Sequence, residues 1–174
     1  MNSAEVATRI ASVALLRGQF TLRSGRTSSY YLDKYLFSTQ PDVLRALGDL
    51  FARRIVPGTT RLAGAELGGI PLVSAASMAS GIPCVFIRNQ KKEYGTAKQL
   101  EGVLNAGDRV VIVEDVATTG GQALEAAKVV QAQGAIVTHI IATIDRLEGA
   151  RENVEAAGIA FESLFTVKEL MPNG

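Results

Sequence analysis

The sequence predicts an α/β fold: a mostly parallel central sheet flanked by helices, carrying a small N-terminal hood. Three observations predict it. From residue 61 onward, short Val- and Ile-rich runs alternate with segments whose apolar residues recur at helical spacing. The strongest run, Val110–Val113, shows no alternation of polarity, which suits a strand covered on both faces. The 174 residues are 47% hydrophobic, enough for one sizeable core, and no shift of composition, repeat or low-complexity stretch divides them. A single domain over 1–174 is expected, with the hood at about 1–38 and the α/β core at about 39–174.

Residues 3–17 read as a helix, with Asn2 as cap, Glu5 in the first turn, Val6, Ile10, Val13 and Ala14 on one face, and Gly18 as its end. Gln19–Leu22 and Ser29–Leu36 read as short strands joined by the turn RSGRTS. A helix follows from about Gln40 to Ile55, with Val43, Leu44, Leu47, Leu50 and Phe51 as its buried stripe and Pro57-Gly58 as its stop. Arg61–Ala65 is strand-like, Ile70–Ser80 helix-like and Pro83–Arg88 strand-like, whereas Asn89–Gly107 has no convincing period. After Val110–Val113 come a helix over Gln122–Gln133 closed by Gly134, a strand over Ile136–Ile144, and a weaker helix over Glu148–Ala157. Phe161–Thr166 reads as the last strand and Val167–Met171 as a closing turn.

Composition excludes several classes of function. A formal charge of +1, from 18 basic and 17 acidic residues, gives no general electrostatic case for nucleic acid. Cys84 is the only cysteine, so no intramolecular disulfide forms, and it reads as a small buried hydrophobe. His139, the only histidine, sits mid-strand without the partners a zinc site needs. The segment MNSAEVATRI lacks the apolar centre of a signal peptide, and no stretch approaches the ~18 apolar residues of a membrane span. The expectation is a soluble, cytoplasmic protein.

The chemistry centres on VVIVEDVATTGG, residues 110–121. Two carboxylates, Glu114 and Asp115, follow the apolar strand, and Thr118-Thr119-Gly120-Gly121 leads into a helix. Backbone N–H groups running into a helix N-terminus cradle phosphate. The acids suit sugar hydroxyls, a Mg²⁺ ion or a developing positive charge. No lysine lies between Glu114 and Ala127, which excludes a Walker A loop, and there is no G-x-G-x-x-G. This order of acids, hydroxyls and glycines resembles the phosphoribosyl pyrophosphate (PRPP) motif of type I phosphoribosyltransferases.

Ligands of an open parallel sheet bind beyond the carboxyl ends of its strands. That rule brings three more segments to the same place. Gly64-Ala65-Glu66-Leu67-Gly68-Gly69 is either a tight turn or an N–H nest for an anion. Arg88–Lys98 is long, polar and carries four cations, so it is either a solvated hairpin or a lid bringing positive charge to a leaving polyphosphate. Arg146, after the last apolar residue of Ile136–Ile144, either binds a substrate carboxylate or pairs with Asp145 or Glu148.

Together the segments resemble the orotate phosphoribosyltransferase family over nearly the whole chain. GQFTLRSGRTSSYYLD is similar to its hood, GAELGGIP to its pyrophosphate loop, RNQKKEYGT to its catalytic loop, and TIDR to its late substrate arginine. The resemblance implies transfer of ribose 5-phosphate from PRPP to N1 of orotate, with release of pyrophosphate, in pyrimidine synthesis. It implies that Lys92, Asp115 and Glu114 are catalytic. Arg88, Lys91, Lys92, Tyr94, Glu114, Asp115, Ala117, Thr118, Thr119, Gly120, Gly121 and Gln122 would bind PRPP. Glu66, Leu67, Gly68 and Gly69 would form the pyrophosphate loop, with the Glu66–Leu67 peptide cis. Arg23, Tyr31, Thr118 and Arg146 would hold orotate. Mg²⁺ would be carried mainly by PRPP, with no direct protein ligand. A homodimer is implied, its 88–98 loops acting across the interface. The chain departs from the pattern at Asn89 and Arg23, where lysine is common, at Tyr94, where histidine is common, and at Gly68, where some members have lysine.

Overall fold

The computed structural model describes residues 1–21, 25, 27–89 and 99–171. The chain opens with α1 (Ser3–Ala14), β1 (Leu15–Thr21), β2 (Thr27–Leu32), α2 (Lys34–Ser38) and α3 (Pro41–Arg54). It continues as β3 (Arg61–Ala65), α4 (Gly69–Ser80), β4 (Cys84–Ile87), β5 (Leu100–Glu101), β6 (Arg109–Ala117) and α5 (Gly121–Gln131). The last elements are β7 (Ile136–Asp145), α6 (Ala150–Ala156), β8 (Ala160–Thr166) and α7 (Val167–Leu170). β1 and β2 pair antiparallel as a separate two-stranded sheet, and the rest form a six-stranded sheet in the order β5-β4-β3-β6-β7-β8. Every pairing in that sheet is parallel except β4 with β5. The fold is therefore α/β with a mostly parallel sheet.

β6 is the spine, because both of its faces are covered. Val111 and Val113 pack with Val6 and Ile10 of α1, Val43, Leu47 and Phe51 of α3, and Leu72 and Val73 of α4. Val110 and Ile112 pack with Ala123, Ala127 and Val130 of α5 and with Ala150 and Val154 of α6. Alternate residues of one strand thus feed two separate apolar layers. Each large side chain fully buried there contributes roughly 1.5–3 kcal/mol relative to exposure.

The strand order reverses between β3 and β6. From β3 the chain crosses to β4 on one side, then returns to place β6, β7 and β8 on the other. Loops leaving adjacent strands on opposite sides of such a reversal open a crevice beyond their carboxyl ends. Here those loops are Glu66–Gly69 and Thr118–Gly121. The opposite end of the sheet is closed: the Thr60 hydroxyl donates to Asp108 Oδ1 at 2.7 Å and accepts from the Arg109 N–H at 3.0 Å.

Four sequence expectations are corrected. The first helix ends at Ala14, not near Gly18, because Leu15–Arg17 are taken up in pairing with Tyr30–Leu32 and the Ala14 carbonyl accepts the Asp33 N–H at 2.9 Å. Gly18 lies inside β1, where the register shifts between Arg17 and Phe20. The strand expected to run to Leu36 stops at Leu32. Asp33 caps α2 instead, accepting the Tyr35 N–H at 3.0 Å, and Phe37 is wholly buried. Within the aperiodic Asn89–Gly107 stretch, Leu100–Glu101 adds a short antiparallel edge to β4. The central strand runs on to Ala117, so both acids belong to it.

Helix α1 is part of the main apolar layer, with Val6, Ile10 and Ala14 fully buried. Ile10→Ala should therefore lower the unfolding free energy by about 2–5 kcal/mol in urea titration. A loss within about 0.5 kcal/mol, the ordinary range for surface positions, would contradict this placement.

Candidate active site

Extension of β6 places two acids where a strand would ordinarily have left the core. Glu114 and Asp115 are 4% and 2% exposed. Glu114 Oε2 is buried with no hydrogen-bond partner. Burial first, then the charge and hydrogen bond of Asp115, push the Glu114 carboxyl well above the ordinary range, so the protonated form is favoured.

Asp115 is held from three sides. The Lys34 ammonium lies 2.8 Å from its Oδ2, and the Val116 N–H donates to its Oδ1 at 2.6 Å. Gly68 lies against the same carboxylate, and a Cβ on that residue would overlap Asp115 Oδ2. Gly68 has φ −68° and ψ −30°, ordinary for any residue, so contact and not backbone conformation requires glycine there. Burial pulls the Lys34 ammonium downward, but the hydrogen bond and charge of Asp115 outweigh it and leave its pKa raised.

The loop after β3 carries a cis Glu66–Leu67 peptide, as the resemblance implies. Glu66 Oε1 accepts the Asn89 N–H at 2.7 Å, and the Glu66 N–H donates to the Ile87 carbonyl at 2.8 Å. These bonds tie the loop to the end of β4. Arg88 continues the connection: its N–H donates to the Gln99 carbonyl at 2.8 Å, its carbonyl accepts from Gln99 Nε2 at 3.1 Å, and its guanidinium lies 3.8 Å from Glu101. Leu67 is 65% exposed beside the buried Gly68 and Gly69.

On the other side of the crevice, Ala117 ends β6, Thr118 is half-buried, and Thr119, Gly121 and Gln122 are exposed. Gly120 adopts φ +76°, and a Cβ there would meet Val154 at 3.0 Å, so both its conformation and its fit call for glycine. No side chain caps α5, leaving its first N–H groups and the positive end of its dipole available to an anion. The loop is fixed from behind by Asn153 Nδ2 donating to the Thr119 carbonyl at 2.9 Å and by the Arg146 N–H donating to the Ala117 carbonyl at 2.9 Å.

Arg146 lies against Glu148, Nε to Oε1 at 3.1 Å, while Asp145 accepts the Leu147 N–H at 2.8 Å. Tyr31 stands on β2, 45% exposed, its ring 5.7 Å from that of Phe20. Arg23, Lys91, Lys92 and Tyr94 lie outside the described residues. A cavity of about 790 Å³ lies beside α5, with Arg88, Asn89, Gln99, Gln122 and Lys128 among its walls. Gly68 and Asp115 do not line it. Among the described residues no group of three or more His, Cys, Asp or Glu could hold a metal ion.

Sequence reasoning missed Lys34. The stretch YYLDKYLF reads as a strand, in which a lysine is simply solvated. Asp33 as a helix cap was the available signal, since it ends the strand and turns the next residue inward.

The buried Glu114 gives a pH prediction. A group with a folded pKa above its unfolded value contributes stability fully below the unfolded pKa, near 4.5, and loses it as pH rises toward the folded value. Glu114→Gln cannot ionise and should remove this slope. Melting of the two proteins from pH 5 to pH 8 should show the variant gaining on the wild type as pH rises; parallel curves would contradict the assignment.

No protein-family model matches the chain. Curated relatives do: the orotate phosphoribosyltransferases of Natronomonas pharaonis and Methanocella arvoryzae are each 47% identical over 154 residues, covering 88% of this chain and 88% of their own. Among solved structures, Mycobacterium tuberculosis orotate phosphoribosyltransferase in complex with Fe(III) dicitrate superposes with a TM-score of 0.89 at 31% identity, over 98% of this chain and 99% of that one. The same enzyme in complex with PRPP gives 0.84 at 30% identity, over 98% and 99%. With this identity over nearly the full length of both chains, the chain belongs to the orotate phosphoribosyltransferase family.

Proposed function

We propose that the protein transfers the 5-phosphoribosyl group of PRPP to N1 of orotate, giving orotidine 5′-monophosphate and pyrophosphate in pyrimidine biosynthesis. The observation that carries this reading is the pairing, in one crevice, of an uncapped helix N-terminus behind Thr118–Gly121 with the carboxyls of Glu114 and Asp115. The first suits a 5′-phosphate and the second suits the ribose attached to it.

In the transfer, the bond from the anomeric carbon to pyrophosphate breaks and the bond to N1 of orotate forms. The anomeric carbon passes through an oxocarbenium-like state, and a fixed carboxylate stabilises its positive charge. Asp115 provides that charge, and Glu114 orients the neighbouring hydroxyls. The N–H groups of Thr118, Thr119, Gly120, Gly121 and Gln122, next to Ala117, hold the 5′-phosphate. Glu66–Gly69 lines the pyrophosphate side. Arg88, Lys91, Lys92 and Tyr94 serve the leaving pyrophosphate, with Lys92 as the principal cation, a role supported by the resemblance of the loop. Arg146, Arg23, Tyr31 and Thr118 serve orotate. Arg146 can exchange its Glu148 partner for the substrate carboxylate without leaving its place at the end of β7.

Mg²⁺ supplies charge neutralisation on the pyrophosphate when bound. By the family resemblance, that ion would be carried mainly by PRPP. The reading includes a homodimer with the 88–98 loops acting across its interface, one domain per chain, and a cytoplasmic site of action without nucleic acid or membrane partners. No helix of the described residues is long and apolar enough to cross a membrane.

The test follows orotate by its ultraviolet absorbance with PRPP and Mg²⁺, each omitted in turn. Loss of orotate only in the complete mixture is the expected result. Turnover of uracil or a purine in place of orotate, or PRPP binding without any turnover, would contradict the proposal.

A further inference from the structure

Lys34 belongs to the hood side of the molecule, yet its ammonium reaches the acid at the end of the central strand. Three features hold it there. The Asp33 N–H is bonded to the Ala14 carbonyl, the Asp33 carboxylate caps α2, and Phe37 anchors that helix in the main apolar layer. The reach depends on Gly68, because any side chain there would take the place of the carboxylate oxygen that Lys34 meets. The Lys34 side chain is 31% exposed and that of Asp115 only 3%, so the ammonium forms the solvent-facing side of the pair.

We propose that Lys34 is a positioning residue for the transfer reaction: its ammonium fixes the Asp115 carboxylate, for which the bare backbone of Gly68 makes room, against the ribose site. The proposal rests on the reading that Asp115 faces the ribose of PRPP. The other titratable groups around the ion pair are Tyr35, which faces Lys34, and Glu114, which faces both partners; Glu66 of the adjoining loop is bonded to the Asn89 N–H. Lys34 is thus the cation within ion-pairing distance of Asp115 among the described residues. Without it, a buried carboxylate either takes a proton or turns away, and in both cases the transition state loses its fixed negative charge.

The experiment compares Lys34→Ala, Lys34→Arg and Gly68→Ala with the wild type in the orotate assay, with PRPP binding measured separately by calorimetry. Lys34→Ala is expected to lower kcat by roughly tenfold or more while changing the PRPP dissociation constant far less. Added propylammonium should restore part of the lost kcat, because the vacated ammonium site borders solvent. Lys34→Arg should retain more activity than Lys34→Ala. Gly68→Ala, which leaves the lysine in place but displaces its partner, should lose kcat in the same way without responding to propylammonium. A Lys34→Ala protein that melts lower but keeps the wild-type kcat, or whose lost kcat does not respond to propylammonium, overturns the proposal and leaves Lys34 a structural ion pair. If Lys34→Ala does not fold, wild-type kcat in Gly68→Ala overturns it. Failure of the wild type to consume orotate is a separate outcome, and it overturns the functional reading on which the proposal rests.

Discussion

The structure depends on how Asp115 is kept inside. A carboxylate at the end of a strand buried on both faces must be compensated, or it costs several kcal/mol and neutralises. Here the compensation comes from three elements distant in sequence: Lys34 from α2, the backbone of Val116, and Gly68, which makes room for the carboxylate. These contacts join the hood, the loop after β3 and the central strand at one atom group. The same contacts shape the crevice, so packing and site are not separable here.

A division of labour between the two acids follows. Glu114 is buried without compensation for Oε2 and is driven toward its neutral form, while the neighbouring Asp115 is ion-paired. Adjacent carboxyls in such different surroundings differ in hydrogen-bonding capacity. A protonated carboxyl donates to a hydroxyl oxygen, whereas a carboxylate accepts from the hydroxyl and meets positive charge. A sugar whose anomeric carbon becomes cationic uses both.

Much of the fold was legible because its signals are local. Arg61–Ala65 was read with the boundaries the structure gives, and the alternation of Val/Ile runs with helical stripes identified a mostly parallel sheet. The phosphate loop was legible for the same reason, since acids, hydroxyls and glycines are contiguous in sequence. What escaped depends on distant partners. The two-residue strand Leu100–Glu101 exists only through pairing with Phe86 and Ile87. The continuation of β6 through Glu114 and Asp115 was hidden because two acids mark a strand's exit unless something buries them. Lys34 was invisible because its partner is Asp115, far along the chain, and the need for glycine at 68 comes from that same carboxylate. The departures at Asn89, Tyr94 and Arg23 fall on segments that the resemblance alone assigns to the leaving group and orotate, whereas the one at Gly68 has a structural reason.

The central claim is that the crevice between the loops after β3 and β6 holds the phosphoribosyl group, with its phosphate on α5 and its ribose on the acids. The most direct measurement is a crystal structure with PRPP bound. The account predicts the 5′-phosphate within hydrogen-bond distance of the N–H groups of Thr118–Gln122, the ribose hydroxyls against Glu114 and Asp115, and pyrophosphate along Glu66–Gly69. A PRPP molecule seated instead in the cavity beside α5, with both acids untouched, would contradict it.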